Sequence, residues 1–386
     1  MKLDGYLASL LDQRAAKGLL RSPRAVDPLP DGYVELDGRR VLSFASNDYL
    51  GLGRHPQLAA SLAEGAGRQA GAGSSRVVAG TRTAHREAER GLARWLGLED
   101  ARLFSSAYAA NLAVLGSLWG PEDVLFSDAL NHASIVDGCR LSRARVVVYP
   151  HAQRGALEDL LRTHASDARM AVVVTESLFS MDGDAADLHG LRTLTAAHGA
   201  ALVVDEAHAL GVVGTEGRGA AAASDVRADI VVGGLGKSLG LAGGFVAGSA
   251  TLGRALDNVA RPFVFSTAIL PAIAHALPTA VDLVRAAEPE RVRLAAHSRR
   301  LRDAAREAGA TLLGGPPAII VSVVLGEPER AMRVAEALLE QGYLVPAMRP
   351  PTVPAGTSRL RITPTAMHTE AQIEGLCEAL VRALTS

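Results

Sequence analysis

Between residues 100 and 248 the 386-residue chain repeats one pattern, a short apolar run followed in most cases by a helical stretch. The runs are ARLFS, DVLFSD, RVVVY, AVVVTES, ALVVDE, DIVVGG and GGFVAGS. Segments with helical patterning separate most of them: AYAANLAVLGSLW, HASIVDGCRLS, residues 156–164 and LHGLRTLTAAHG. Strands that are apolar throughout, rather than alternating, must be buried on both faces, and parallel strands need a helical crossover. The pattern therefore predicts an α/β fold with a mostly parallel central sheet sandwiched by helices. In such sheets ligands bind outside the carboxyl ends of the strands.

Around this block the chain is organised differently. A helix is expected up to Lys17, with Leu7, Leu10 and Leu11 on one face. A proline-broken connection, strands YVELDG and RRVLSFAS, a helix over 57–69 and the glycine- and serine-rich loop GAGSSRVVAGTR follow. Beyond about residue 280 come a charged helix (286–308), strand AIIVSVVLG, helix ERAMRVAEALLEQG, strands YLVPAMR and RLRITP, and a last helix. Thr369 and Gln372 form a T-x-x-Q capping box at the start of that last helix. The length suggests more than one domain. The expected division is an amino-terminal helix and strand segment (1–45), a large α/β domain (46–280) and a smaller α+β domain (281–386).

Charge and composition exclude several function classes. A net charge of -1 gives no global attraction to nucleic acid or an anionic membrane. No apolar run approaches the roughly 20 residues of a membrane span, and the amino terminus lacks the apolar core of a signal peptide. Cys139 and Cys377 have no metal-ligand spacing, so reduced thiols in a cytoplasmic protein, without a metal site, are expected.

The strand tips carry the chemistry. ALVVDEAH ends in Asp205 and His208, and DIVVGGLGKS reaches Lys237 through a glycine-rich turn, so the three should lie at one edge of the sheet. An acid, an imidazole and an amine so placed suit a pyridine-aldehyde cofactor. The lysine forms the imine, and the acid keeps the ring nitrogen protonated so that the ring draws electrons. Gly236-Lys237-Ser238 matches the end of a phosphate-loop motif, but Val231 occupies the position that motif gives to glycine. Ser106, Ala107 and Tyr108 begin a helix after ARLFS, where backbone N–H groups favour a phosphate. Asn131-His132, Thr175-Glu176 and Ser180 follow two more strands. Singly, Asp205 reads as a helix cap, Lys237 as a surface lysine and His132 as a cap or core residue. Their recurrence at five strand ends favours a shared site.

These stretches carry a family resemblance. SNDYLGL, GAGSSR, FSSAYAAN, LNHASIVDG, TESLFSMDGD, VDEAHALGVVG, GLGKSLG, FVFSTA and RPPTVPAGTSRLRIT occur in order from about Ser46 to Thr363. On them the chain resembles the α-oxoamine synthases, a branch of the fold type I pyridoxal 5'-phosphate enzymes. The resemblance implies that Lys237 carries the cofactor covalently and that Asp205 pairs with its ring nitrogen. It places His208 and Ser180 near the phenolic oxygen, His132 on the ring face, and the phosphate on Ser106, Ala107 and Tyr108. Ser266 and Thr267 would reach the neighbouring subunit's phosphate in a homodimer whose active site lies at the interface. Arg361 would clamp the amino-acid carboxylate, with Asn47 nearby. Arg21 and Thr352 match contacts to the acyl group, and Arg349 is placed to meet a distal carboxylate.

NDYLGL and RPPTVPAGTSRLR point, within the family, to condensation of L-alanine with a pimeloyl thioester on CoA or a carrier protein. Siblings that use glycine or serine with other acyl thioesters share the catalytic set and stay open. A non-catalytic partner subunit is disfavoured by the presence of Lys237, and an aminotransferase or decarboxylase by the ordered motifs. Two positions depart from the family: Gly234 stands where a phosphate-binding hydroxyl is usual, and Ala107 where glycine is frequent.

Overall fold

Seven strands build the central sheet: β1 (Asp100–Phe104), β2 (Val124–Asp128), β3 (Arg145–Tyr149), β4 (Ala171–Glu176), β5 (Ala201–Asp205), β6 (Ile230–Gly234) and β7 (Gly244–Gly248). They lie in the order β1-β7-β6-β5-β4-β2-β3. The pairs β3–β2, β2–β4, β4–β5 and β5–β6 are parallel. Only β7 runs against its neighbours β1 and β6. That reversal matters for the site. The chain leaves β6 and re-enters at β7 on the same edge, so the connecting turn with Lys237 stays at the carboxyl end of β6. The turn is closed by Leu235 N–H donating to Gly243 O (3.0 Å).

The computed structural model describes residues 2–17, 19–315 and 319–385. The chain divides into two units. One is Asn47–Ala295 with Gly315–Pro317 and contains this sheet; the other is Met1–Ser46 with Ala296–Gly314 and Ala318–Ser386.

In the sheet-bearing unit, Val172, Val174, Val203, Val232 and Val246 are buried against Ala110, Ala113 and Val114 of helix α1 (Ala107–Leu115). Two glycines permit this fit. A Cβ on Gly233 would stand 2.4 Å from the Phe245 ring, and one on Gly244 would stand 2.3 Å from Ala107 N. The second would push the sheet away from the helix start that forms part of the site, and the first would drive β6 against the side chains of Phe245 and Leu210. A further helix, Pro271–Ala286, was not apparent in the sequence pattern; it packs on helix Pro56–Arg68 where Gly65 admits it. In the expected loop GAGSSRVVAGTR, Arg76–Gly80 forms one wide helical turn, held by a buried Arg76–Glu89 ion pair of 2.8 Å.

The other unit carries two four-stranded sheets. In one, Tyr33–Leu36 pairs with Arg39–Ser43, which is joined in parallel by Tyr343–Leu344. In the other, Val321–Gly326 pairs with Ser358–Ile362, which also receives Ala347–Met348. The stretch YLVPAMR, expected as one strand, is thus two short pieces in different sheets. Pro346 lies between them and has no N–H to continue a ladder; its carbonyl accepts Arg361 N–H instead (3.0 Å). Ala318, at the start of the expected strand AIIVSVVLG, lies outside the described residues. The Thr369–Gln372 capping box forms, with Thr369 N–H donating to Gln372 Oε1 (2.8 Å) and Gln372 N–H to Thr369 Oγ1 (3.3 Å). The first helix, Leu3–Ala16, forms as expected, with Leu7, Leu10 and Leu11 exposed.

Candidate active site

Asp205 ends β5 and is 6% exposed. A buried carboxylate is costly unless donors meet it, and two do. Asn111 Nδ2 lies 2.7 Å from Oδ2, and Ala207 N–H donates to Oδ1 (2.9 Å). Asn111 sits on the buried side of α1 and also donates to Ser134 Oγ (2.9 Å). Because that oxygen accepts from Asn111, its hydrogen is available to His132 Nδ1, 2.7 Å away. Ser134 N–H approaches the same nitrogen (3.2 Å). The chain Asp205–Asn111–Ser134–His132 is therefore directional. It makes His132 Nδ1 an acceptor and leaves the proton of the neutral ring on Nε2.

His132 begins helix α2 (Ala133–Leu141) and has one side open to solvent. Desolvation on its other side lowers its pKa; Asp205 opposes this and Lys237 adds to it. The ring meets Tyr108 edge-on, with centroids 6.5 Å apart. Tyr108 stands in the first turn of α1, whose cap is Ser106: its hydroxyl accepts Ala109 N–H (3.0 Å). The N–H groups of that turn have no partner within the helix, as at any helix start. A Cβ on Gly234 would meet only Ala207 Cβ at 3.4 Å and Ala107 Cβ at 3.7 Å, so small groups line this corner.

His208 and Ser180 are both buried. The Tyr49 hydroxyl lies 2.7 Å from His208 Nδ1 and donates to Asn47 Oδ1 (3.2 Å), which ties the NDYLGL stretch to the strand tips. Lys237 is half-buried in the turn after β6. Glu176, at the end of β4, is in register with Asp205. It is 3% exposed, and its Oε1 makes no hydrogen bond. Burial, reinforced by the Asp205 charge, pushes its pKa up to about 8, against the pull of Lys237 and the N–H groups of His132 and Ser180.

Ser266 and Thr267 are exposed. Thr267 pairs with Ser75, and Ala268 N–H donates to Ser74 O (2.9 Å), so the GAGSSR and FVFSTA stretches meet. The remaining expected residues belong to the other unit. There Arg21 Nη2 donates to Thr352 Oγ1 (2.7 Å) and Arg349 Nη2 to Leu20 O (3.3 Å). Residues 331 positions apart are thus brought together. Arg361 is buried on strand Ser358–Ile362, opposite Ser322.

Sequence reasoning assigned no role to Asn111, Tyr49, Ser134 or Glu176. All four lie inside the motif stretches quoted above. The available signal was an amide five residues after Ser106 on a helix whose other buried residues are apolar.

The family model for aminotransferase class I and II matches residues 39–380. The chain is 47% identical to an 8-amino-7-oxononanoate synthase of Geobacter sulfurreducens, with 97% of each chain covered. It is 46% identical to one of Bordetella petrii, with 98% of each covered. Among solved structures, a serine palmitoyltransferase of Sphingomonas wittichii aligns with a TM-score of 0.91 at 32% identity, covering 99% of this chain and 97% of that one. An 8-amino-7-oxononanoate synthase of Francisella tularensis aligns at 0.78 and 27%, covering 89% and 97%. The chain belongs to the class I and II aminotransferase family and, within it, groups with the 8-amino-7-oxononanoate synthases.

Proposed function

We propose that the chain condenses L-alanine with a pimeloyl thioester, releasing 8-amino-7-oxononanoate, carbon dioxide and the free thiol carrier, in biotin biosynthesis. The observation that carries the reading is the buried Asp205 carboxylate, met by Asn111 and Ala207. It ends the strand next to the one that leads into Lys237. The residues at this edge fit pyridoxal 5'-phosphate. They supply an anion for a protonated ring nitrogen, a helix start for a phosphate, an imidazole of defined tautomer and an amine. Bound there, the cofactor supplies an electron sink for charge that develops at the substrate Cα.

The chain's own groups do the rest. Asp205 favours the protonated ring nitrogen by charge pairing. Ser106 and the backbone of Ala107 and Tyr108 hold the phosphate. Ser180 and His208 would hold the cofactor's phenolic oxygen, and His132 would lie against the ring and offer its Nε2–H to a developing oxyanion. Lys237 would hold the cofactor, and its amine would move the Cα proton as a general base. The planar fork of Arg361 suits both carboxylate oxygens of alanine, and Asn47 is a further candidate substrate contact. The Arg21–Thr352 pair and Arg349 receive the acyl chain. Gly234 contributes no hydroxyl, so the phosphate rests on backbone, on Ser106 and on Ser266 and Thr267 of a second subunit in a homodimer. A cytoplasmic location accords with two buried free cysteines.

A sibling activity on serine or glycine is the second reading, supported by the 0.91 TM-score to a serine palmitoyltransferase. The deciding assay crosses alanine, glycine and serine with pimeloyl-CoA, acetyl-CoA and palmitoyl-CoA, measuring free thiol. Turnover confined to alanine with pimeloyl-CoA is expected, and turnover with serine or glycine in its place overturns the reading. Lys237→Ala should abolish turnover and the cofactor's lysine-bound absorbance.

A further inference from the structure

A half-buried histidine lies outside every role above. His151 follows β3, at the far edge of the sheet from β1. Its Nδ1 is 2.9 Å from Asp128 Oδ1, and its Nε2 is 2.8 Å from Asp184 Oδ2. Carboxylates only accept, so both ring nitrogens must donate, and the ring is an imidazolium held between two anions. The charge is stabilised from both sides, and its pKa is raised to about 10 although burial opposes this.

The two anions belong to two of the segments that carry candidate site residues. Asp128 ends β2; its Oδ1 also accepts Leu130 N–H (2.8 Å), and its carbonyl accepts Asn131 N–H (3.2 Å). It thereby shapes the turn that delivers His132. Asp184 closes a hairpin that begins where β4 ends. Phe179 N–H donates to Asp184 O and Gly183 N–H to Phe179 O (both 2.9 Å), Leu178 pairs with Ala185, and Ser180 lies within the closed turn. The His151 ring also meets Phe179 edge-on, with centroids 4.4 Å apart.

We infer that His151 is a positioning residue: the Asp128–His151–Asp184 clip locks the turn before His132 to the hairpin bearing Ser180, and so sets the spacing of two cofactor contacts. The inference rests on the proposed cofactor site but assigns His151 no contact with cofactor or substrate. His151 and Asp128 border a small cavity. Tyr149, Arg154, Phe179 and Asp187 line the same cavity of about 120 Å3. With both ring nitrogens donating, His151 bridges two carboxylates on separate segments there.

The test compares wild type with His151→Ala, Asp184→Ala, Asp184→Asn and the His151→Ala/Asp184→Ala double variant. Amide hydrogen exchange on the cofactor-free protein should accelerate at least tenfold at Phe179, Gly183 and Asn131 in His151→Ala, with Val172–Val174 unchanged. The visible circular dichroism of bound pyridoxal phosphate should shrink, and its Kd should rise at least fivefold. Asp184→Asn keeps an acceptor oxygen and should recover most of both signals relative to Asp184→Ala, which a loss of general stability would not produce. The double variant should be no worse than either alanine variant alone. Unchanged hairpin exchange, uniform acceleration over the sheet, or an unaltered cofactor spectrum in His151→Ala overturns the inference. Failure of the proposed reaction itself would appear separately, as wild-type protein that binds the cofactor with these signatures but releases no thiol from alanine and pimeloyl-CoA.

Discussion

Asn111 Nδ2 stands 2.7 Å from Asp205 Oδ2 and 2.9 Å from Ser134 Oγ, joining the buried acid to the imidazole of His132 through one amide. A hydrogen bond to a charged group contributes about 1.5–3 kcal/mol. Asn111→Ala removes it and also frees Ser134 from its fixed direction. We expect pyridoxal phosphate to bind roughly tenfold or more weakly, at about 1.4 kcal/mol per tenfold, measured by absorbance titration of the cofactor-free protein. Undiminished affinity would show that Ala207 N–H alone satisfies Asp205.

Glu176 provides a stability test with a definite sign. Its folded pKa, about 8, lies above the carboxyl's ordinary 4.5. Between those values the folded protein holds a proton that the unfolded chain has released, so this group makes stability fall as pH rises. Glu176→Gln cannot ionise. Its stability relative to wild type should grow between pH 5 and pH 8 and then level off, by up to about 1.4 kcal/mol per pH unit. Urea denaturation of the cofactor-free proteins at pH 5, 6.5 and 8.5 measures it; a constant difference would mean Glu176 is ionised throughout.

Two adjacent glycines should respond in opposite ways. At Gly234 an added Cβ meets only ordinary contacts, 3.4 Å and longer. Gly234→Ser should fold with a stability change within about 1 kcal/mol and tighten cofactor binding by supplying a hydroxyl at the phosphate corner. At Gly233 the Cβ would lie 2.4 Å from Phe245 and 2.6 Å from Leu210. Gly233→Ala should cost about 1–3 kcal/mol by overpacking. Thermal melts and cofactor titrations of both variants check this, and weaker binding by Gly234→Ser would contradict the open corner.

The Arg76–Glu89 pair is 2% exposed on both sides. Glu89 also accepts Leu103 N–H (3.0 Å), and Arg76 lies over the Phe263 ring. Arg76→Met leaves the buried Glu89 carboxylate with only the longer 3.4 Å ion pair to the partly exposed Arg86, so it should lose about 3–5 kcal/mol. Arg76→Met/Glu89→Leu should recover a large part of that loss, because no buried charge remains. A double variant as unstable as Arg76→Met would place the cost in packing rather than charge.

Local patterning made much of the fold legible. Valine-rich strands that need burial on both faces, helices between them and the Thr369–Gln372 box all depend on neighbours within a few residues, and the structure forms them. The same locality placed Asp205, His208 and Lys237 at strand tips. It misread YLVPAMR, since the partners of its two halves, Arg39–Ser43 and Ser358–Ile362, are distant in the chain and Pro346 interrupts the ladder. It gave no sign of which polar groups would meet, because a hydrogen bond between Asn111 and Asp205 spans 94 residues and leaves no periodic trace.

What the sequence by itself determined, then, was the alternation of elements, the mostly parallel sheet and the residue types at its carboxyl edge. These follow from side-chain burial and backbone propensity, which act over short stretches. Only the tertiary structure decided the reversal of β7 that keeps Lys237 at that edge, the register that sets Glu176 beside Asp205, and the directional link from Asp205 to His132. The clip of His151 between Asp128 and Asp184 belongs with them. Each depends on which distant strands and turns lie side by side, and buried charges and amides there take whatever partners that packing brings within about 3 Å.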